Sequence, residues 1–139
     1  MNEERKTTVV TGALRDCHII GLRILEIALE EAGFKVVKLG ALISQEDFIK
    51  AAIETNAAAI LISSLYGMGM LDCRGMREKC KETGLGDILL YVGGQLSVGS
   101  EARWKEVERT FKEMGFDRVY PPRTRPLKVI QDLKSDLGL

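Results

Sequence analysis

The segment Asp16-Cys17-His18-Ile19-Ile20-Gly21 contains the single histidine of the chain. An imidazole with a carboxylate two positions before it can present one ring nitrogen to a metal, while the other nitrogen donates a hydrogen bond to the carboxylate. Such a carboxylate fixes the tautomer and makes the imidazole a stronger ligand. The same spacing also fits a surface histidine beside a helix-capping aspartate. This segment alone leaves both interpretations open, so the elements that position it must decide.

Short apolar and β-branched runs predict five strands along the chain. They cover Thr7–Ala13, Phe34–Leu39, Ala57–Leu65, Ile88–Val92 and Asp117–Tyr120. The run Ala57–Leu65 is the most apolar and is expected at the centre of the sheet. The run Phe34–Leu39 alternates more and is expected nearer an edge.

Amphipathic segments between these runs predict five helices. The first ends at a C-capping Gly33, and the second begins at Ser44 in a capping box with Asp47 and runs to about Asn56. Asp72, Ser100 and Thr124 are the expected starts of the later helices. Cys73 and Cys80 are expected about two turns apart on the third helix, as core residues without a redox role. The helix positions predicted to face the core are Leu22, Leu25, Leu29, Ala32, Met76, Cys80, Trp104, Val107, Phe111, Met114, Ile130, Leu133 and Leu137.

Strands that alternate with helices predict a single α/β domain over residues 1–139, with a mostly parallel sheet covered on both faces. For five strands the common arrangement is the flavodoxin-like doubly wound order 2-1-3-4-5, a Rossmann-like fold with a switch point between strands one and three. The loop with His18, the segment from Ser63 to Gly67 and the segment Gly93-Gly94-Gln95 then lie at the carboxyl edge of the sheet. Ligands bind at this edge in such folds.

Composition narrows the possible partners. Lys plus Arg equals Asp plus Glu, 20 against 20, so no net field attracts nucleic acid or an anionic membrane. The amino terminus has no signal-peptide core, and no apolar run approaches the ~20 residues that span a bilayer. Three cysteines without a C-x-x-C pair indicate a reduced, cytoplasmic protein.

The loops do not match the common ligands of this fold. The first loop, Gly12-Ala13-Leu14-Arg15-Asp16, lacks the Ser- and Thr-rich phosphate-binding pattern of flavodoxins, and no G-x-G-x-x-G follows the first strand. Strand three ends in Ser63-Ser64, where a phosphoacceptor domain would need an aspartate. One histidine cannot hold a bare zinc ion, but it suffices as an axial ligand if the metal arrives in a macrocycle. Small residues at Ser63, Gly93 and Gly94 would leave a slot for such a cofactor, although Gly-Gly after a strand is also typical of a tight turn.

Asp16-x-His18-x-x-Gly21, with Ser63-x-Leu65 and Gly93-Gly94, resembles the signature of cobalamin-binding domains of the base-off, histidine-on class. The similarity extends over nearly the whole chain and is greatest to the small (sigma) subunits of glutamate mutases, also called methylaspartate mutases. The stretches that carry this wider resemblance are Phe48–Thr55, Ser63–Gly67 and Leu89–Gly94.

The resemblance implies that His18 ligates cobalt from the lower face and that Asp16 is its hydrogen-bond partner. Ser63 would bond the displaced dimethylbenzimidazole base, and Leu65 would line its slot. The remaining implied cofactor contacts lie on the same loops and at the start of the first helix. They are Arg15, Cys17, Ile19, Gly21, Ser64, Tyr66, Gly67, Gly93, Gly94, Gln95, Leu96, Ser97, Val98 and Gly99.

The resemblance also implies a function in adenosylcobalamin-dependent rearrangement of L-glutamate to threo-3-methyl-L-aspartate. A large (epsilon) barrel subunit would bind glutamate, and the chain alone would be inactive. A corrinoid methyl carrier and a cobalamin sensor or storage module are the alternatives. Methyl carriers normally have a helical cap domain before the cobalamin domain, and only about six residues precede the first strand here, which favours the mutase.

One departure from the family pattern lies just before Asp16. The family usually has Gly followed by Ser or Thr, whereas this chain has Leu14 and Arg15. The lost hydroxyl is an expected cofactor contact, and Arg15 is long enough to reach a phosphate or amide. Cobalamin affinity, partner and substrate are therefore open to change.

Overall fold

A computed structural model describes residues 7–14, 20–65, 73–95 and 101–139, and within these ranges strands and helices alternate as predicted. The strands are β1 (Thr8–Ala13), β2 (Lys35–Lys38), β3 (Ala59–Leu65), β4 (Leu89–Gln95) and β5 (Arg118–Val119). The helices are α1 (Ile20–Glu31), α2 (Gln45–Thr55), α3 (Met76–Glu82), α4 (Glu101–Glu113) and α5 (Pro126–Leu137). None of the helices in these ranges has the length and apolar content needed to cross a bilayer.

The described strands form one sheet in the order β2-β1-β3-β4-β5, with every neighbouring pair parallel. This confirms the flavodoxin-like winding, the central position of β3 and the edge position of β2. The strand order reverses between β1 and β3, so the switch point lies where the sequence predicts it.

Alternating side chains divide the core between the two faces of the sheet. On one face, Val10, Ile60 and Leu90 belong to the cluster that contains the buried residues of α2, α3 and α4. On the other face, Leu61 and Tyr91 pack with residues of α1 and α5; this side is called the α1/α5 face below.

The predicted inward positions on the helices are confirmed. Leu29, Met76, Cys80, Val107, Phe111, Ile130 and Leu133 are buried, and Leu25, Ala32, Trp104, Met114 and Leu137 are partly buried against the core. Burial raises the pKa of the Cys80 thiol, although the Arg77 charge opposes the shift. The thiol is therefore held in its unreactive protonated form, as expected for a core cysteine.

The cap predictions are partly wrong. Ser44 and Asp47 do form the predicted capping box at α2. The N-cap of α3 is Gly75 at φ 81°, a conformation that favours glycine, so the predicted start at Asp72 is wrong. Cys73 is buried but precedes α3 and does not lie on it.

The last helix also begins one residue later than predicted. Its N-cap is Arg125, which makes no side-chain capping bond, and the Thr124 hydroxyl donates instead to the Pro121 carbonyl at 2.7 Å. Pro126 occupies the first helical position, where its fixed φ already suits a helix and its missing N–H costs nothing. The proline explains why a side-chain cap is not needed here.

Strand β4 extends further than the sequence predicts. It continues past Val92 through Gly93 and Gly94 to Gln95, and it stays paired with β3 over this length. The glycines therefore do not form a tight turn. They bring the β4 backbone along the carboxyl end of β3, where the predicted site lies.

Candidate functional site

The predicted site residues fall into two groups. The first group follows β1, β3 and β4 and lies outside the described residues, so its members remain predictions. They are Arg15, Asp16, Cys17, His18, Ile19, Tyr66, Gly67, Leu96, Ser97, Val98 and Gly99. The second group is described, and the pairing of β3 with β4 places Ser63 beside Gly93, Ser64 beside Gly94 and Leu65 beside Gln95.

A row of small residues crosses the sheet near its carboxyl edge. Ala13, Ser63 and Gly93 are in register on β1, β3 and β4, and strand alternation places all three on the α1/α5 face. A second row, one pleat further from the edge, contains Thr11, Leu61 and Tyr91. The second row carries much larger side chains than the first. On the α1/α5 face, the edge row therefore carries less side-chain volume than the row behind it, and we call the surface over Ala13, Ser63 and Gly93 the slot.

Tyr120 closes one side of the slot. A methyl group added at Gly93 would lie 3.4 Å from Tyr120 Cβ, an ordinary contact distance. Tyr120 is itself 8% exposed and meets Tyr91 edge to face, with 5.7 Å between ring centroids. In the sequence, Tyr120 is only the last residue of the predicted fifth strand. Its position next to Gly93 follows from β5 being the neighbour of β4, which the predicted strand order already contained.

A polar network holds α5 against Tyr91 and Tyr120. The Tyr120 hydroxyl donates to Asp132 Oδ2 at 2.7 Å, and the Tyr91 hydroxyl donates to Asp136. Arg118 also binds both carboxylate oxygens of Asp136, at 2.9 and 2.8 Å. The hydrogen bonds from Arg118 hold the pKa of Asp136 below its usual range, although partial burial opposes the shift. Burial and the aspartate partners raise the pKa of both tyrosines.

The raised pKa values of Tyr91 and Tyr120 predict that the protein loses stability in alkali. Unfolded tyrosine ionises near pH 10, whereas Tyr91 and Tyr120 in the folded protein stay protonated to higher pH. The unfolded state therefore loses protons first, and the free energy of unfolding falls above pH 10 by about 1.4 kcal/mol per pH unit for each tyrosine. Urea unfolding between pH 8 and about 11.5 should show a shallower fall for Tyr91→Phe and for Tyr120→Phe. If the free energy of unfolding fell equally steeply with pH in wild type and in the variant with both Tyr91→Phe and Tyr120→Phe, the network would be contradicted.

Ser64 faces the opposite side of the sheet, and its partner Gly94 lies close against the β3 backbone. Ser64 is 1% exposed, and among the described residues its hydroxyl has no hydrogen-bond partner. A methyl group on Gly94 would lie 2.5 Å from the Ser64 carbonyl oxygen, and Gly94 has φ 102°. The protein's own backbone thus requires glycine at position 94. Contacts of these two residues with a cofactor stay predictions. Strand alternation directs the Ser64 side chain away from the slot, whereas a methyl group on Gly94 would also lie 3.1 Å from the Ser63 hydroxyl oxygen.

Leu14 and Gly21 flank the undescribed segment that contains His18. Leu14 is 1% exposed and packs in the core on the face away from the slot. Its side chain therefore does not narrow the slot. The replacement of the family's usual glycine by Leu14 leaves this face unchanged. Gly21 is exposed in the first turn of α1, and a methyl group there would meet no described atom within 4 Å. Nothing in the described packing requires glycine at this position.

The described residues contain no cluster of three or more His, Cys, Asp or Glu side chains that could bind a metal ion. A bare metal centre is thus not built from the described part of the chain. An axial imidazole needs no such cluster, because a macrocycle supplies the other donors.

A doubly wound parallel sheet with a slot at its switch point defines a ligand-binding α/β domain. The family model of the B12 binding domain matches residues 6–120. The computed structure is also similar to that of a cobalamin-binding protein from Desulfitobacterium hafniense, with a TM-score of 0.73 at 22% sequence identity. The match covers 94% of this chain and 60% of that protein, and at this identity it shows the fold alone.

Two relatives show to which group within this family the chain belongs. The glutamate mutase sigma subunit of Carboxydothermus hydrogenoformans is 58% identical over 139 residues, which cover 100% of this chain and 99% of that protein. The glutamate mutase sigma subunit of Clostridium tetani is 56% identical over 135 residues, covering 96% and 98%. The chain therefore belongs to the glutamate mutase sigma subunits, within the B12-binding domain family.

The described part of the slot fits the nucleotide arm of a cobalamin. The edge row consists of the small residues Ala13, Ser63 and Gly93, and Ser63 places a hydroxyl in that row. Ser63 is half-buried, so its hydroxyl lies in a partly water-excluded setting where a hydrogen bond to a ring nitrogen adds affinity.

Proposed function

We propose that this chain, over residues 1–139 as one domain, is the adenosylcobalamin-binding subunit of a glutamate mutase. The observation that carries the proposal is the row of small residues at the switch point, in a chain of this family. Among the described residues, this row carries only small side chains, and Ser63 supplies its one hydroxyl.

His18 is the proposed lower axial ligand of cobalt, and Asp16 accepts a hydrogen bond from the other ring nitrogen. This hydrogen bond would fix the tautomer and the orientation of the imidazole and make it a stronger ligand. Ser63 binds a ring nitrogen of the displaced base, Gly93 leaves space for the ring, and Tyr120 bounds that space. Arg15 and residues 95–99 are proposed contacts of the more distant, polar part of the arm.

When bound, adenosylcobalamin would supply the radical chemistry for the rearrangement of glutamate to 3-methylaspartate. The residues of this chain bind and orient the cofactor from below. Glutamate is proposed to bind to a large barrel subunit that covers the opposite face of the corrin. We therefore expect no isomerase activity from the chain alone and activity when that subunit is added.

Electron paramagnetic resonance of cobalt(II) cobalamin tests the axial ligand. We expect uniformly ¹⁵N-labelled protein to split the cobalt signal into doublets, because ¹⁵N has spin one half. The cofactor's own base contains ¹⁴N and would give triplets. Since the chain has one histidine, imidazole coupling from the protein can come only from His18. Triplets alone, with cobalamin bound, would contradict histidine ligation.

A further inference from the structure

A buried carboxylate faces the same side of the sheet as the slot but has no part in the function described above. Glu26 lies in α1, is 4% exposed, and accepts a hydrogen bond from the Thr11 hydroxyl at 2.5 Å. Thr11 lies on β1 and is 0% exposed. A short bond of this kind, between a hydroxyl and a carboxylate, is stronger than a bond between neutral groups. No motif or residue spacing predicts this pair.

The other contacts between α1 and the sheet are less specific. Leu22 and Leu29 are buried, and Leu25 is partly buried against the α1/α5 face. Apolar contacts of this type favour burial but are non-directional, so they do not by themselves fix how far a helix lies along a strand. The ion pair between Glu30 and Lys38 joins two half-exposed side chains at 3.0 Å and is worth little.

The buried pair joins the two elements that flank the histidine segment. Thr11 is on the strand that leads into residues 15–19, and Glu26 is on the helix that follows them. A directional bond between these elements sets the position of the first turn of α1 relative to the end of β1. Single buried polar contacts are known to fix register between packed elements in this way.

We propose that Glu26 and Thr11 are positioning residues for His18. Their hydrogen bond fixes the depth of α1 along β1, and with it the relative position of the two elements that the segment with His18 connects. This inference rests on the proposed function of His18. The pair itself touches neither the metal nor the cofactor.

The test separates positioning from stability. In Thr11→Val with Glu26→Met, an apolar pair of similar volume replaces the polar pair. Such replacements of buried polar pairs are often neutral or stabilising. Thr11→Ser keeps the hydroxyl and is the conservative rescue. Glu30→Gln, one turn further along α1 and half-exposed, is the matched control.

Three readouts apply to each variant. They are the free energy of unfolding in urea, the amide exchange rates of Ile24 and Leu25 in the cobalamin-free protein, whose N–H groups bond to the carbonyls of the first turn of α1, and the fraction of ¹⁵N-coupled cobalt(II) cobalamin. For the double variant we expect stability close to wild type, about tenfold faster exchange in the first turn of α1 and at least a halved histidine-ligated fraction. Thr11→Ser and Glu30→Gln should match wild type in all three readouts.

Wild-type exchange and wild-type ligation in the double variant would overturn the inference. Loss of stability with unchanged ligation would show a purely structural pair and would also overturn it. If the wild-type protein gave no ¹⁵N coupling while exchange still changed in the double variant, the role of His18 would fail but the bond would still fix α1. The exchange readout therefore separates failure of the proposed function from failure of this inference.

Discussion

His18→Ala should abolish ¹⁵N coupling to cobalt(II) cobalamin completely and weaken cobalamin binding by roughly 100-fold or more. Loss of an outer partner of a metal ligand already costs 10–100-fold, and loss of the ligand itself should cost at least as much. The chain contains no second histidine that could substitute. Spectroscopic titration with cobalamin, followed by resonance spectra at saturating cofactor, measures both effects.

Asp16→Asn provides the matched comparison for this substitution. An amide oxygen can still accept from the imidazole, but it stabilises the bond less than a carboxylate does. We therefore expect the ¹⁵N doublets to persist in Asp16→Asn, with binding about tenfold weaker. Added ¹⁵N-imidazole should restore doublets to unlabelled His18→Ala, because the small ligand can occupy the vacated position. Unchanged coupling in labelled His18→Ala would show that another nitrogen ligates cobalt.

Most of the fold could be predicted because its signals are local and repeated. Apolar runs gave the strands, and alternation with amphipathic segments gave the parallel order that the described sheet shows. Caps were less predictable, since glycine at 75 and proline at 126 begin helices through backbone conformation, without a side-chain hydrogen bond. A search for capping side chains therefore selected Asp72 and Thr124, which are wrong.

The site was predictable in its location but not in its details. The sequence indicated that Ser63 and Gly93 would lie at the carboxyl edge of the sheet, and their register places them side by side there. It could not show that Tyr120 bounds the slot or that Glu26 bonds Thr11, because both contacts join residues far apart in sequence. Nor could it separate the two adjacent glycines, since the motif treats Gly93 and Gly94 alike. Backbone geometry distinguishes them.

Gly94→Ala should destabilise the fold by about 3 kcal/mol or more, whereas Gly93→Ala should leave it nearly unchanged. A methyl group at Gly94 meets the Ser64 carbonyl oxygen at 2.5 Å and also requires φ 102°, which costs an L-residue free energy. At Gly93 the added methyl meets only Tyr120, at 3.4 Å and beyond. We expect Gly93→Ala to weaken cobalamin binding by about tenfold, because its methyl group enters the slot.

Gly33→Ala separates the two costs at Gly94. Gly33 has φ 99°, but a methyl group there meets no atom within 4 Å, so this variant carries the conformational cost without the clash. It should lose about 1–2 kcal/mol, less than Gly94→Ala, in the same urea titration. Equal losses in the two variants would mean that β4 does not approach Ser64 as closely as described. Wild-type cobalamin affinity in Gly93→Ala would place the nucleotide arm away from the row of Ala13, Ser63 and Gly93, and the slot would then need another occupant.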